Sequence, residues 1–499
     1  MPVDFAAAEV WFTVIARDVN SGQTASRPLT VQVGMAAGPP SPVKALPLSG
    51  LESYAPPLPI TRSPVTNSQE VKLTDAISEV VVGAGGRFLL LRCQYKPLIH
   101  VFDVMQARIA KSITVPISAP MIAAGGSHFY FIHANGAIVD RWRFSDLTQV
   151  DSRSLPAELR SAAWTRAFAT MGDESPGPLY LCVADAGKSY QIDPMTLSFG
   201  ELPWPRAAIA NASYLSASSD GQFVCALSSV ARERPAMAFV RNGVATVYRN
   251  SDMEVNIGRT RADYLVPSAD GKIVFGSNQA WAGDRVLAHA LTEFSFWTPA
   301  RESGFYVVAL RANRGASKLK SGGVRTFFVG RISDSMQRTG ELEIGIGGGG
   351  NISLNDQPDL DRSPPFCQRV HYYPTAGFIA ALSSDCKKMI LQKADPGAIF
   401  GAARGSGFVF PLCKPPRFVK AGQEVTMPFG ARSSFGNVSV HLQEAPAGMT
   451  IAKDKLIWKT PTVTSPTEVH FTLEVQGGPT AINPTQRYAT TVLPSRTNE

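Results

Sequence analysis

The chain has 499 residues, of which 44% are hydrophobic and 18% are charged, and its formal net charge is +8. Because a single hydrophobic core rarely grows to this length, we expect two to four domains. No apolar run reaches the roughly 18 residues that a membrane-spanning helix needs, so no transmembrane helix is predicted. The 42 glycines and 37 prolines favour many tight turns between short strands.

The first predicted element is a hairpin, with strands at Glu9–Asp18 and Arg27–Gly34 around a glycine-bearing turn. Both strands carry an apolar face that two strands alone cannot cover. We therefore expect further strands upstream of Met1, which makes residues 1–34 a partial module. Residues 35–67 are rich in proline, serine and glycine and are predicted to form an extended linker.

A strand, an aspartate-bearing turn and a second strand recur at IHVFD, DRWRFSD and YQID. A repeat of about 40–50 residues that holds four short strands is typical of a β-propeller blade. Seven turns carry a glycine before an apolar run, at Gly86, Gly126, Gly177, Gly221, Gly271, Gly304 and Gly377. We therefore predict an all-β chain in which residues 68–413 form a seven-bladed β-propeller, with positive φ at these glycines. The strand Gln69–Asp75 is predicted to complete the last blade and close the ring.

Residues 414–499 contain about six alternating strands, which is the size and cadence of an immunoglobulin-like β-sandwich. The stretch APAGMTIAKDKLIWKTP resembles the Ig-like (cadherin-like) modules of large bacterial surface and secreted proteins. The matching positions are Pro446, Gly448, Met449, Trp458 and Pro461. The usual Asp–Gly turn is replaced here by Lys453–Lys455. Large apolar side chains stabilise a small sandwich when buried, so Met449 and Trp458 are predicted to be structural core residues.

Residues 8–34 resemble the last third of the same module. The region between the two resembles the WD40/YVTN-like propellers that lie between such modules in environmental bacteria, planctomycetes especially. The resemblance implies an extracytoplasmic location (periplasmic, cell surface or secreted), although the first residues lack the features of a signal peptide. It thus implies an upstream signal peptide absent from this chain, and a protein or glycan partner at the cell surface.

The sequence offers few groups with recognisable chemistry. The seven histidines form no metal-binding motif, so no metal or other cofactor is predicted. The acidic stretch NDQPDLD offers oxygen ligands for calcium, although it lacks the spacing of known calcium loops. Its candidate ligands are Asp356, Asp359 and Asp361.

A basic run between residues 311 and 325 contains no acid. It consists of Arg311, Arg314, Lys318, Lys320 and Arg325. This electropositive loop is either a contact for an anionic partner or, as we favour, a solvated hairpin. No aromatic residues interleave with it, so a nucleic-acid partner is not predicted. The sequence carries no signal for the oligomeric state.

The six cysteines show no zinc-ligand or CxxC spacing. Cys93, Cys182 and Cys225 lie in apolar runs and are predicted to be small hydrophobic residues of strands. Cys367 and Cys386 flank a predicted hairpin and could pair in an oxidising compartment.

Polar residues on the innermost strands are the remaining candidates, because those strands face the propeller channel. They are Glu79, Asp263, Arg369 and His371. A carboxylate pair among them could serve a polysaccharide lyase or glycoside hydrolase, whereas a water-filled channel explains their polarity without catalysis. The favoured function is a non-catalytic extracytoplasmic binding or scaffold protein, and the alternatives are that propeller enzyme and an intracellular WD40-type scaffold.

Overall fold

The computed structural model describes the chain in segments. They are residues 8–17, 24–33, 48–51, 54–115, 120–133, 138–155, 167–183, 187–202, 212–228, 236–241, 244–249, 264–276, 279–282, 285–289, 295–310, 326–331, 340–343, 364–383, 385–402, 408–477 and 485–495. Within these segments the secondary structure is almost entirely β, as predicted. No helix in them is long and apolar enough to cross a membrane.

The N-terminal hairpin is present. Strand β1 (Ala8–Arg17) pairs antiparallel with β2 (Thr24–Val33), from Ala8 opposite Val33 to Arg17 opposite Thr24. The side chains of both strands lie outside the described part of the structure, so the prediction that further strands cover their apolar face stays a prediction.

The repeat region begins with β3 (Ser68–Lys72) and continues as antiparallel sheets whose strands pair in chain order. The first sheet comprises β4 (Ile77–Gly83), β5 (Phe88–Cys93), β6 (Leu98–Asp103) and β7 (Arg108–Thr114). The second comprises β8 (Met121–Ala124), β9 (His128–His133), β10 (Ile138–Arg143) and β11 (Thr148–Ser154). The third comprises β12 (Ala167–Thr170), β13 (Leu179–Val183), β14 (Lys188–Ile192) and β15 (Phe199–Glu201).

The next strands form two hairpins, β16 (Ala212–Ala217) with β17 (Val224–Ser228), and β18 (Ala236–Arg241) with β19 (Val244–Arg249). A four-stranded sheet follows with β20 (Leu265–Pro267), β21 (Val274–Gly276), β22 (Gln279–Ala282) and β23 (Arg285–His289). Another contains β24 (Ser295–Pro299), β25 (Phe305–Leu310), β26 (Thr326–Arg331) and β27 (Gly340–Glu343). The last has β28 (Val370–Tyr373), β29 (Phe378–Leu382) and β30 (Lys388–Lys393).

Strand β3 completes this last sheet, because Ser68–Lys72 pairs antiparallel with residues 388–392 of β30. The predicted closing strand is therefore confirmed, and it covers an edge that would otherwise be open. Repeated four-stranded meanders whose last member takes its outer strand from the start of the region form a β-propeller. Because residues 212–249 form two separate hairpins in the described structure, the count of seven blades stays a prediction.

The propeller core lies between neighbouring sheets. One cluster joins the first and last sheets and includes Ile77, Leu89 and Phe378, and another joins the first and second sheets through Leu90 and Phe129. The middle strands are buried along their whole length, as in β13 and β29. Both faces of such a strand are covered, which explains their continuous apolar runs.

Six of the seven turn glycines have positive φ, from 66° at Gly271 to 140° at Gly177. Gly126 does not, and its prediction was wrong. A Cβ atom there would collide with the Tyr54 hydroxyl, so this glycine is required by close approach rather than by backbone angle. Tyr54 and Ile60 are themselves buried, so the later part of the predicted linker packs against folded units.

The C-terminal region forms two four-stranded sheets. The first has the order β31 (Val409–Cys413), β33 (Glu424–Ser433), β36 (Lys455–Lys459) and β35 (Met449–Ala452). The second has the order β32 (Phe418–Lys420), β38 (Thr485–Leu493), β37 (Thr467–Gln476) and β34 (Ser439–Glu444). They share one hydrophobic core, in which Trp458 is 1% and Met449 6% exposed. We call these two sheets the C-terminal unit.

One finding differs from the predicted C-terminal region. Strand β31 was assigned to the end of the propeller, but it pairs with β33, so the C-terminal unit begins no later than Val409. The pair formed by β32 and β38 is parallel. Two short helices lie before this unit, α1 (Phe366–Arg369) ahead of β28 and α2 (Pro396–Ala402) after β30.

Candidate functional site

Helix α1 packs against the first strands of two separate sheets. From this helix the Gln368 side chain accepts a hydrogen bond from the Val80 backbone N–H, with an N–O distance of 3.1 Å. The Cys367 thiol lies 3.2 Å from the Tyr214 hydroxyl. Val80 and Tyr214 belong to the first strands of separate sheets, so α1 lies between them on the axis. The water-filled channel stays a prediction.

Three of the four predicted channel residues lie in the described segments. Glu79 forms an ion pair with Arg92 at 2.8 Å, and the buried Arg369 donates to the Ser383 carbonyl at 3.1 Å. His371 is buried next to the Gln368 carbonyl, and burial together with the charge of Arg301 lowers its pKa to about 3. These groups thus have structural partners.

The other predicted site residues lie outside the described residues. They are Asp263, the basic residues Arg311, Arg314, Lys318, Lys320 and Arg325, and the acidic residues Asp356, Asp359 and Asp361. Their predictions stay untested. In the described segments no three His, Cys, Asp or Glu side chains are grouped as a metal site.

All six cysteines are buried, and none of them is placed in a disulfide. Cys367 packs in the core that contains Tyr372, whereas Cys386 packs in the core that contains Tyr373. The proposed disulfide between them is therefore absent, because the two side chains lie in different clusters. Burial raises the pKa of the Cys367 and Cys182 thiols to about 12.

At the opposite end of the axis, the turns that follow the first strand of each sheet meet. We call these the axial turns. Backbone hydrogen bonds join them from sheet to sheet, namely Ala84 to Gly125, Gly85 to Asp173, Gly126 to Ser175, Glu174 to Ser219 and Ser219 to Ala269, each from N–H to carbonyl. The Tyr373 hydroxyl donates to the Gly86 carbonyl at 2.8 Å, which links the last sheet to the first. The axial turns are thus held in fixed positions around the axis.

The C-terminal unit inserts a cation into this ring. Lys414 is buried, donates to the Gly85 carbonyl at 3.0 Å and lies 3.8 Å from the Glu174 carboxylate. The backbone N–H of Arg417 donates to Glu174 at 3.1 Å, and its guanidinium donates to the Ser303 hydroxyl at 2.7 Å. The start of the C-terminal unit therefore caps the axis.

A cavity of about 520 Å³ lies between the axial turns and the C-terminal unit. Asp220, Asp270 and Glu302 line it from the propeller, and Arg417 and Tyr488 line it from the C-terminal unit. This volume is in the range of about 300–1,000 Å³ that small-ligand sites have. We call it the interdomain cavity, and it is the candidate functional site.

The carboxyl groups of the interdomain cavity differ in their protonation. Burial raises the pKa of Glu302 to about 7, although Lys414 and hydrogen bonds from Thr375 oppose this. Burial also raises the pKa of Asp220, against the charge of Arg417. At Asp270, the charge of Arg417 and hydrogen bonds from Ser268 and Lys272 outweigh burial, so its pKa is lowered. The cavity thus holds acids with different tendencies to ionise.

Asp220 and Asp270 occupy equivalent turns. In each turn one carboxylate oxygen accepts hydrogen bonds from a serine hydroxyl and from a backbone N–H. The donors are Ser218 and Gln222 for Asp220, and Ser268 and Lys272 for Asp270. The sequence does contain this signal, as SSDG and SADG. Because the glycines were used to count blades, the aspartates before them were overlooked as site residues.

No protein-family model and no curated protein matches the chain. Its fold is similar to solved structures. The β-propeller domain of Myceliophteria thermophila Cps50 (Swd1) is 10% identical with a TM-score of 0.43, over 66% of this chain and 99% of that one. A chain of the mitotic checkpoint complex is 9% identical with a TM-score of 0.42, over 66% and 92%. Dihydro-heme d1 dehydrogenase NirN is 9% identical with a TM-score of 0.40, over 68% and 76%. The β-propeller fold follows from the strand pairing of residues 68–393.

Proposed function

We propose that this chain is a non-catalytic extracytoplasmic binding protein that takes its ligand in the interdomain cavity. The observation that carries the proposal is a cavity of about 520 Å³ whose polar groups are held by hydrogen bonds before any ligand arrives. Preorganised groups bind well because little conformational freedom is lost on association.

The proposed architecture is a seven-bladed β-propeller followed by an Ig-like sandwich, with a partial Ig-like module at the N-terminus. The two hairpins within residues 212–249 occupy the place in the chain where a fourth blade belongs, which supports seven blades. The shared core of the C-terminal sheets supports a sandwich. The extracytoplasmic location rests on the resemblance of residues 446–461 to modules of surface and secreted proteins.

The binding proposal is tested by closing the cavity. Ala489 lines it and is only partly buried, so Ala489→Trp places an indole in the ligand space. The control is Ala452→Trp on the exposed end of β35. Neutral oligosaccharides, anionic oligosaccharides and short peptides are screened by thermal shift and calorimetry. We expect at least one class to bind the unmodified chain and the control but not Ala489→Trp. If every class that binds does so equally to all three proteins, the cavity is not the binding site.

A propeller enzyme of the lyase or glycoside hydrolase type is the second candidate. It is favoured by Glu302, because a carboxyl group whose pKa is raised to about 7 can donate and accept a proton near neutral pH. The test is turnover of any saccharide that binds, followed by chromatography. Turnover that Glu302→Gln abolishes would favour the enzyme, whereas binding without turnover favours the binding protein.

A further inference from the structure

The charges of the interdomain cavity largely occur in opposite pairs. Arg301 lies 2.5 Å from Asp173, and Lys414 lies 3.8 Å from Glu174. Such pairing leaves no strong net sign in the cavity wall. A highly charged ligand would therefore gain little attraction and would lose its hydration on entering.

Some hydrogen-bonding capacity in the cavity wall is left over. The second carboxylate oxygen of Asp220 accepts no hydrogen bond from any described residue, and that of Asp270 lies 3.8 Å from the Lys272 ammonium. Arg417 uses one side-chain nitrogen on Ser303. The free oxygens of Asp220 and Asp270 can accept hydrogen bonds, and a guanidinium only donates them. A fitting ligand must therefore both donate and accept.

Hydroxyl groups meet both requirements without bringing a charge, since each can donate one hydrogen bond and accept others. The cavity also has apolar lining residues, namely Phe223 and two prolines. The Tyr488 ring, by contrast, stacks on Phe471 within the core of the C-terminal unit. A sugar ring presents hydroxyls at its edge and C–H groups on its faces, so it suits a wall that combines carboxylates with apolar side chains.

We propose that the interdomain cavity binds a neutral oligosaccharide. Asp220 and Asp270 accept hydrogen bonds from hydroxyl groups, Arg417 donates to sugar oxygens, and Phe223 packs against a carbon face. This inference rests on the proposed function and specifies its ligand class.

The test is isothermal titration calorimetry of the full chain with cello-, manno-, xylo- and maltotetraose. Tri-galacturonic acid and tetra-alanine represent anionic and zwitterionic ligands. The variants are Asp220→Asn, Asp270→Asn and Arg417→Gln. Asp385→Asn is the matched control, because Asp385 accepts a serine hydroxyl and a backbone N–H in the same way but lies outside the cavity wall. Melting temperatures and circular dichroism verify that each variant is folded.

We expect at least one of the four neutral tetrasaccharides to bind the unmodified chain. Each cavity variant should raise the Kd of that tetrasaccharide about tenfold or more, since a hydrogen bond to a charged group is lost. Asp385→Asn should bind like the unmodified chain. The inference is overturned if no neutral tetrasaccharide binds, or if binding is equally tight in the cavity variants and the control. If only tri-galacturonic acid or tetra-alanine binds, and Ala489→Trp prevents it, the binding proposal stands while the saccharide inference falls. If nothing binds in any class, both fall.

Discussion

Replacing Glu302 with glutamine tests the electrostatics of the interdomain cavity. The side chain is buried, with the residue 7% exposed, and burial raises its pKa from 4.5 to about 7. A raised carboxyl pKa means that the folded chain binds the proton more tightly than the unfolded chain. The contribution of Glu302 to stability is thus greatest below pH 4.5 and declines as the pH rises to about 7.

The magnitude follows from the shift. At 1.36 kcal/mol for each pKa unit, ionising Glu302 destabilises the fold by on the order of 3 kcal/mol above pH 7. Glutamine at this position stays neutral. In the unmodified chain the N–H and hydroxyl of Thr375 donate to the Glu302 carboxylate. The glutamine amide can keep these contacts, because its oxygen accepts hydrogen bonds and the Thr375 hydroxyl can also accept one from its NH₂ group. We therefore expect Glu302→Gln to gain stability relative to the unmodified chain as the pH rises from 5 to 8.

The assay is urea denaturation at pH 5, 6, 7 and 8, followed by tryptophan fluorescence. The difference between variant and unmodified chain isolates Glu302, since the other buried carboxyls are common to both. Glu424→Gln, at an exposed position on β33, is the control and should show no such trend. Parallel pH profiles for Glu302→Gln and the unmodified chain would refute the reasoning.

Three further changes probe the fold. Trp458→Ala should cost about 3–5 kcal/mol, as other truncations of buried aromatics do, whereas Ile451→Ala at a 37% exposed site should cost little in the same urea titration. Lys414→Met should lower the free energy of unfolding by about 3–5 kcal/mol, because the buried Glu174 loses its cationic partner. The control Lys453→Met, at an exposed position, should have no such effect. Equal melting temperatures for the two variants would contradict a stabilising role of Lys414. Removing residues 1–75 should lower the melting temperature below that of a chain that lacks residues 1–67, because only the longer deletion removes β3; equal melting temperatures would mean that ring closure adds nothing to stability.

Much of the propeller could be predicted from local sequence signals. Glycine turns and apolar runs fix where strands begin and end, and six of the seven glycines indeed have positive φ. The closing strand was predictable because an unpaired strand next to an open edge has one obvious partner. Trp458 was recognisable as a core residue from its size and its place in a small sandwich.

The candidate site was much harder to predict, because it depends on contacts between distant segments. Helix α1 is only four residues long, and nothing in its sequence indicates that it contacts the first strands of two sheets. Lys414 follows the last predicted blade by chain position, yet it contacts Gly85 across 329 residues. Asp220 and Asp270 were visible in the turns, but their convergence on one cavity depends on how the sheets pack together.

The most direct test of the central claim is a crystal structure of the full chain with the probe that binds most tightly. We predict ligand density in the interdomain cavity, within hydrogen-bonding distance of Asp220, Asp270 and Arg417. Density on the outer strands, or at the end of the axis where α1 lies, with an empty interdomain cavity would contradict the proposal.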